Sequence, residues 1–210
     1  MKEITIANEK LTVRISTLGA EMQSVKEADG TERLWQGDPA YWTGRAPIMF
    51  PVCGGLKEDA YYLDGQRYGM TKHGFAKLEE WAVESQEADR AVFLLTEKHP
   101  GFPFDYEFRA AYTLKENALE IAYTVKNTGD RVFWYSVGSH EAWATPGGLE
   151  RYTVVFDQPE KLDFSDPFRS GYGRFLAVLL QGAAGWRSLQ GRAHRQAERG
   201  HLAGAGLSLP

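Results

Sequence analysis

Residues 107–127 of the chain read EFRAAYTLKENALEIAYTVKN, and this stretch decides the class of fold. In its second half, apolar side chains recur at every other position: Leu119, Ile121, Tyr123 and Val125. A period of two is that of a β-strand with one buried face. The polar triplet Lys-Glu-Asn separates this strand from a similar run at 107–114. The stretch therefore predicts a hairpin of two antiparallel strands over 107–114 and 118–127.

Strand-like runs of this kind recur, with turn signals between them, at 3–6, 11–15, 31–35, 80–85, 91–96 and 131–137. One helical turn is predicted at 38–42, where Asp38 can serve as the N-cap residue and Pro39 as the first helical residue. No stretch has a helical period over three turns. We therefore expect an antiparallel all-β fold with strands every 8–12 residues.

The composition is that of an ordinary globular protein. The 210 residues are 43% hydrophobic and 25% charged, and 27 of them are aromatic. Aromatic side chains suit strand cores, and flat rings also suit the apolar faces of sugars.

The single cysteine, Cys53, excludes an internal disulfide framework, and a buried, inert thiol is expected there. No apolar run is long enough to span a bilayer and the N-terminal stretch has no apolar signal core, so a cytoplasmic location is predicted.

The composition changes abruptly near residue 168. Residues 168–210 carry six Arg, no Lys and one acid, Glu198, a formal charge of +5, whereas residues 1–167 carry −9. Eight glycines among these 43 residues disfavour independent folding. We therefore divide the chain into a β-sandwich domain at 1–167 and an atypical, poorly ordered Gly/Ala/Arg-rich tail at 168–210. A basic tail also leaves open a nucleic-acid-binding or partner-binding appendage.

The stretch 44–75 contains the polar residues that are best placed to meet a ligand. Pro47 and Pro51 bracket a short apolar run and predict an extended segment rather than a helix. Asp64-Gly65 is a two-residue hairpin signal. Irregular segments of this kind, carrying Arg, Tyr and His between strands, are where polar ligands are usually bound.

Two of the five histidines, His73 and His140, follow strand-like runs and stand beside small residues. Histidine is suited to proton transfer because its usual pKa of about 6.5 lies near working pH. For either residue alone, a structural role in a turn is an equal alternative. His99 is expected to be solvated in a turn, and His194 and His201 lie in the atypical tail. The spacing of the histidines fits no local metal pair, and neither a phosphate-binding glycine motif nor a nucleophile elbow is present.

Six segments, taken together and in order, give the chain a resemblance to the aldose 1-epimerase (galactose mutarotase-like) family, particularly its LacX-like branch. They are Leu18 to Met22, Arg45 to Pro51, Gly65 to Tyr68, His73 to Ala76, Thr124 to Thr128 and Ser136 to Trp143. The resemblance covers about residues 3–167.

The resemblance implies a galactose mutarotase-like supersandwich with a sugar cleft that interconverts the α and β anomers of a free hexose. It implies His140 as the general acid, His73 as a second catalytic contact near the ring oxygen, and Arg45 and Trp143 as substrate-binding residues. No cofactor or metal is implied. The expected partner is a small-molecule hexose, with no nucleic acid and no membrane.

The chain departs from the family pattern after Asp166. The family places its carboxylate base on a late strand. Glu198 is the single acid beyond Asp166, and its surroundings do not match that strand. The sandwich is therefore expected to be incomplete at its C-terminus, with the acid side of the site kept and the base lost. General acid–base assistance contributes roughly 10²–10⁴-fold per group, so weak turnover is expected. A non-catalytic carbohydrate-binding protein that uses the same cleft is the alternative.

Overall fold

A computed structural model describes residues 1–148, 151–152, 195–196 and 201–208. These residues form fourteen β-strands and two short 3-10 turns, Lys57–Asp59 and Ala76–Leu78. The strands are β1 (Glu3–Ala7), β2 (Leu11–Ser16), β3 (Met22–Glu27), β4 (Ile48–Met49), β5 (Ala60–Leu63), β6 (Gln66–Gly69), β7 (Ala82–Gln86), β8 (Arg90–Leu95), β9 (Tyr106–Lys115), β10 (Ala118–Asn127), β11 (Trp134–Tyr135), β12 (Gly138–Ser139), β13 (Arg195–Gln196) and β14 (His201–Ser208). The predicted all-β class is confirmed. Across the described ranges, no helix is long and apolar enough to cross a membrane.

The hairpin predicted from residues 107–127 forms the centre of the largest sheet. β9 and β10 pair antiparallel over ten residues each, from Ala118 opposite Lys115 to Asn127 opposite Tyr106. Both strands alternate buried and half-buried residues along most of their length, as the sequence period requires. The sheet has the order β14-β10-β9-β8-β7 and every pairing in it is antiparallel.

A second sheet, β1-β2-β3, covers the buried face of the first. Ile6, Val13 and Ile15 are fully buried and join the same hydrophobic core as the side chains of β8, β9 and β10. The Tyr112 hydroxyl on β9 donates a hydrogen bond to the Ala20 carbonyl at 2.6 Å, which ties the two sheets together. This antiparallel sandwich is the architecture that the sequence predicted.

Phe50 is the centre of the aromatic core. It is fully buried, and its ring packs against five others: Phe75, Phe102, Tyr106, Phe108 and Tyr135. Burying an aromatic side chain contributes about 1.5–3 kcal/mol to stability. Because Phe50 directly follows β4, this packing anchors the Pro-flanked segment that precedes it. The extended conformation predicted between Pro47 and Pro51 is confirmed by β4.

Two local predictions were correct and two were wrong. β5 and β6 form the predicted hairpin, with Asp64 at φ 50° and Gly65 at φ 79° in its turn, and the Asp38 side chain accepts a hydrogen bond from the Ala40 amide in the predicted turn. The predicted strand at 31–35 is reduced to isolated bridges, and only β11 remains of the strand predicted at 131–137. In the predicted strand at 31–35, the Glu32 carboxylate accepts hydrogen bonds from the Val25 and Leu34 amides. In a regular strand these amides would donate to backbone carbonyls instead.

The atypical tail falls mostly outside the described residues. Within it only β13 and β14 are described, and β14 pairs antiparallel with β10. Asp166, Glu198 and the predicted domain boundary at residue 167 lie outside the described ranges. The two-part division of the chain stays a prediction.

Candidate functional site

His73 and His140, which are distant in sequence, lie side by side. Their ring centroids are 5.8 Å apart and the rings meet edge to face at 76°. The short pair formed by β12 and β4 places Ser139 opposite Ile48, and the backbone bridge between Phe50 and Gly74 brings His73 to the same segment. The stretch after Pro47 is therefore the common support of both histidines.

His73 is held by a two-way contact with Gly54. The His73 amide donates to the Gly54 carbonyl at 2.8 Å, and the Gly54 amide donates to Nδ1 of His73 at 3.0 Å. Because Nδ1 accepts a hydrogen bond, a neutral His73 ring carries its proton on Nε2. His73 has a φ of 70°, which only a few non-glycine residues adopt.

The His73 ring is neutral at pH 7. Burial, together with smaller electrostatic effects of Lys77, His140 and Lys72, lowers its pKa to about 4. His73 in this state is a hydrogen-bond donor through Nε2 rather than a source of protons.

His140 is placed by the backbone of the Pro-flanked segment. Its amide donates to the Pro47 carbonyl at 3.2 Å. Its ring packs on the indole of Trp42, with centroids 5.0 Å apart. Burial lowers the pKa of His140, and Lys72 and Lys77 act in the same direction. Among the described residues, no carboxylate shifts this pKa.

Arg45 lies on the same segment and is held by two side chains that sequence reasoning did not assign. One oxygen of Glu21 accepts the amides of Arg45 and Ala46 at 2.8 and 2.9 Å. The guanidinium donates from Nη1 to the Gln23 side chain at 3.1 Å, and from Nη2 to the Gln36 carbonyl at 2.9 Å. Nε of Arg45 is buried and makes no hydrogen bond within the described ranges.

The fourth predicted site residue, Trp143, packs against the hydrophobic core and forms a backbone bridge with Leu34. Trp42, which sequence reasoning did not assign to the site, packs beside His140. The available signal was its position in the predicted turn immediately before Arg45.

Glu141 follows His140 directly. The residue as a whole is half-buried, yet burial of its carboxyl group raises its pKa, against a smaller lowering effect of Ser139. Burial is the main cause that raises the pKa of Tyr112 and Tyr123 on the core face of β9 and β10, and the charge of Glu141 acts in the same direction. Glu141 is not among the groups that shift the pKa of His73 or His140.

Two predictions about other side chains were wrong. Cys53 was expected to be buried, but the residue is exposed. Partial burial of its sulfur nevertheless raises the pKa of the thiol, which keeps it protonated. His99 was expected to be solvated, but its ring stacks on Phe75 at 4.2 Å and its Nδ1 accepts the Gly101 amide at 3.0 Å. Its role is to fix a turn.

In the part of the chain that the structure describes, no group of three or more His, Cys, Asp or Glu side chains could hold a metal ion. The described groups of the candidate site are the neutral imidazoles of His73 and His140, the guanidinium of Arg45 and the indole of Trp42. Such groups can donate hydrogen bonds to hydroxyl and ring oxygens, and an aromatic ring can cover the apolar face of a sugar.

The antiparallel β-sandwich of this chain is of the galactose mutarotase-like class. The chain belongs to the aldose 1-epimerase family: the family model described as Aldose 1-epimerase matches residues 2–170. The family resemblance read from the sequence is confirmed.

Characterised relatives and solved structures agree with this assignment. The chain is 34% identical to the plasmid-encoded protein LacX of Lactococcus lactis subsp. lactis in an alignment 178 residues long, which covers 79% of this chain and 60% of LacX. The crystal structure of a galactose mutarotase related enzyme from Lactobacillus acidophilus is 38% identical, with a TM-score of 0.68 over 69% of this chain and 50% of that one. A galactose mutarotase-like protein from Lactobacillus casei is 34% identical, with a TM-score of 0.66 over 68% and 50%. The chain thus spans about 60% of the length of LacX and about half that of the solved structures.

Proposed function

We propose that the protein binds a free hexose at His73, His140 and Arg45 and interconverts its α and β anomers by acid/base ring opening. The observation that carries this proposal is the 5.8 Å approach of the two histidine rings. Membership of the aldose 1-epimerase family supports it.

The proposed roles follow from the hydrogen-bonding capacity of each side chain. His140 is the general acid that protonates the ring oxygen, while solvent water takes the proton of the anomeric hydroxyl. The ring opens, the C1–C2 bond rotates, and the same steps in reverse close the ring on either face of the aldehyde. His73 donates from Nε2 to an oxygen near the ring oxygen, because its Nδ1 is engaged by Gly54. The Arg45 guanidinium binds a hydroxyl. Trp143 is a proposed sugar contact, and Trp42, which packs on His140, is a second one.

We propose that turnover is weak in this chain. The acid step needs a protonated His140, and burial with two nearby lysines lowers its pKa. A carboxylate facing the rings would raise the pKa of His140 and would also accept the proton of the anomeric hydroxyl. Glu141 does not meet this need, because it is not among the groups that shift the pKa of His140. The proposal also includes a cytoplasmic location, with neither nucleic acid nor membrane as a partner.

A non-catalytic carbohydrate-binding protein is the second candidate. The observation that favours it is that both imidazoles are neutral at pH 7 and that no carboxylate within the described ranges shifts their pKa values. Such a site can hold a sugar through donors without transferring a proton.

The two candidates are separated by anomer exchange measured on glucose and galactose by polarimetry or NMR. Exchange faster than in buffer alone supports the enzyme. Exchange equal to the buffer rate, together with saturable sugar binding in calorimetry, supports the binding protein. Absence of both exchange and binding contradicts both candidates.

A further inference from the structure

Trp42 packs on the proposed acid, His140, and the backbone of Trp42 is fixed on both sides. The ring centroids of Trp42 and His140 are 5.0 Å apart, and the rings are tilted by 44°. The Trp42 amide donates to the Asp38 carbonyl at 2.9 Å, and the Trp42 carbonyl accepts the Trp35 indole at 2.8 Å. The turn before Trp42 is closed by the Asp38 carboxylate, which accepts the Ala40 amide at 2.8 Å. The backbone of Trp42 is therefore held in place before any ligand binds.

The indole ring of Trp42 is fixed as well, because it lies against the backbone of Gly44. A Cβ added to Gly44 would lie 2.5 Å from Cζ2 and 2.7 Å from Cε2 of the ring. Only glycine leaves room for so close an approach of a ring to the backbone. Trp42 thus presents a fixed aromatic surface to His140.

No carboxylate of the described residues shifts the pKa of His140, although several elements around it carry charged side chains. The titratable or charged side chains on the elements that pack against it are those of His73, Lys72, Lys77, Arg45, Asp38 and Glu141. Burial and the charges of Lys72 and Lys77 lower the pKa of His140, and only the backbone of His140 itself raises it. The protonated form therefore needs stabilisation from a group that is not an acid.

The π face of an indole can supply this stabilisation. Aromatic rings carry a negative face, and a cation within about 6 Å of the ring centroid is attracted to it, most strongly at Trp. The 5.0 Å separation of Trp42 and His140 lies inside this limit. The attraction strengthens when the pair is removed from water, and both residues are half-buried.

We propose that Trp42 is a positioning residue for His140, whose fixed indole holds the imidazole and stabilises the imidazolium form from which the acid step starts. The inference rests on the proposed function, in which His140 protonates the ring oxygen. Trp42 replaces part of the stabilisation that a carboxylate would give, and it acts through the histidine in addition to any contact with the sugar.

The test is an NMR titration of His140 in two matched variants, Trp42→Phe and Trp42→Leu. Both new side chains are apolar and smaller than Trp, but only Phe keeps a π face. The pKa of His140 is expected to be about half a unit higher in Trp42→Phe than in Trp42→Leu. Equal values, or a higher value in Trp42→Leu, would overturn the inference, because an apolar cover without a π effect gives no advantage to Phe. The His140 signal is assigned by its absence from the spectra of His140→Ala.

Anomer exchange gives a second measurement on the same two variants. A difference of half a pKa unit changes the protonated fraction of His140 at pH 7 about threefold. Exchange above the buffer rate should therefore be about threefold faster in Trp42→Phe than in Trp42→Leu, with equal sugar affinity. A difference in sugar affinity without a difference in the pKa of His140 would assign Trp42 to sugar binding alone and contradict the inference.

Tyr62→Leu is the control for the loss of a ring, because Tyr62 lies on β5 and is 69% exposed. It should leave the pKa of His140 unchanged. Circular dichroism establishes that each variant is folded, and if Trp42→Leu is unfolded, Trp42→Met takes its place as the apolar variant without a π face. The titration is carried out without sugar and decides the inference by itself. Absence of anomer exchange in the wild type would contradict only the enzymatic activity proposed above.

Discussion

His73 and Gly54 exchange a reciprocal pair of contacts, in which the Gly54 amide donates to the imidazole Nδ1 and the His73 amide donates to the Gly54 carbonyl. The side chain and the backbone of His73 are thus both hydrogen-bonded to the backbone of Gly54. The pair fixes both the ring orientation and the tautomer before any ligand arrives. An imidazole prepared in this way loses little freedom when it donates a hydrogen bond to a sugar oxygen.

The first prediction concerns the titration of His73. Its pKa is lowered to about 4, so the unfolded chain binds more protons than the folded one between pH 6.5 and 4. The contribution of His73 to stability is therefore present above pH 6.5 and is lost as the pH falls through 4. NMR titration of the imidazole protons should give one histidine with a pKa near 4. The free energy of unfolding measured with urea should be lower at pH 5 than at pH 7.

His73→Asn is the matched variant for this prediction. Asparagine tolerates a positive φ, and its side-chain oxygen can accept the Gly54 amide as Nδ1 does. The variant should fold and should lose much of the decrease in unfolding free energy between pH 7 and pH 5. An unchanged pH dependence would show that His73 does not have a lowered pKa.

The second prediction concerns Glu141, for which the pKa is raised by burial above its usual value of 4.5. The folded chain then holds this proton more tightly than the unfolded chain. The contribution of Glu141 to stability is fully present below pH 4.5 and is lost as the pH rises through the raised pKa. Glu141→Gln removes the charge while keeping the shape, so its unfolding free energy should exceed that of the wild type by about 1 kcal/mol at pH 8 and match it at pH 4.

Glu87→Gln is the control for this charge removal, because Glu87 is exposed in the turn before β8. It should change the unfolding free energy little at either pH. If Glu141→Gln is less stable than the wild type at pH 8, the carboxylate is ionised and paired in the folded protein, and the burial argument is wrong.

The sequence predicts the sheets well because their signals are local. The alternation at 118–127 specifies which face of β10 is buried, and Asp64-Gly65 specifies the turn between β5 and β6. A short period or a two-residue turn is encoded within a few neighbouring residues. The same holds for the Pro-flanked segment, in which two prolines exclude a helix.

The site is predicted less completely because its contacts are long-range. The approach of His73 to His140 depends on the pairing of β4 with β12 and on the burial of Phe50, and no local pattern specifies either. The support of Arg45 by Glu21 spans 24 residues, and the contact of Trp42 with His140 spans nearly 100. The family resemblance could name His73, His140 and Arg45, but not the neighbours that set their protonation.

The third prediction tests how the backbone holds His73 in place. Gly74 has a φ of 72°, and a Cβ added there would lie 2.0 Å from the Phe50 carbonyl oxygen. Gly74→Ala therefore combines backbone strain with a clash and should lower the unfolding free energy by about 3 kcal/mol or more. Gly65→Ala is the control, since Gly65 has a φ of 79° with nothing near its Cβ. It should lose only about 1–2 kcal/mol. Equal losses in the two variants would show that the Phe50 carbonyl can move away.

The fourth prediction assigns the acid. His140→Ala removes the imidazole that packs on Trp42, while the backbone contact of residue 140 with Pro47 remains possible. Any anomer exchange above the buffer rate should fall by about 10²–10⁴-fold, the range typical of a general acid. Exchange is measured by NMR on glucose and galactose, with circular dichroism to establish the fold and Tyr62→Ala as a variant outside the site. A fall in exchange with sugar affinity retained separates an acid from a binding residue, and an unchanged exchange rate would refute the assignment of His140.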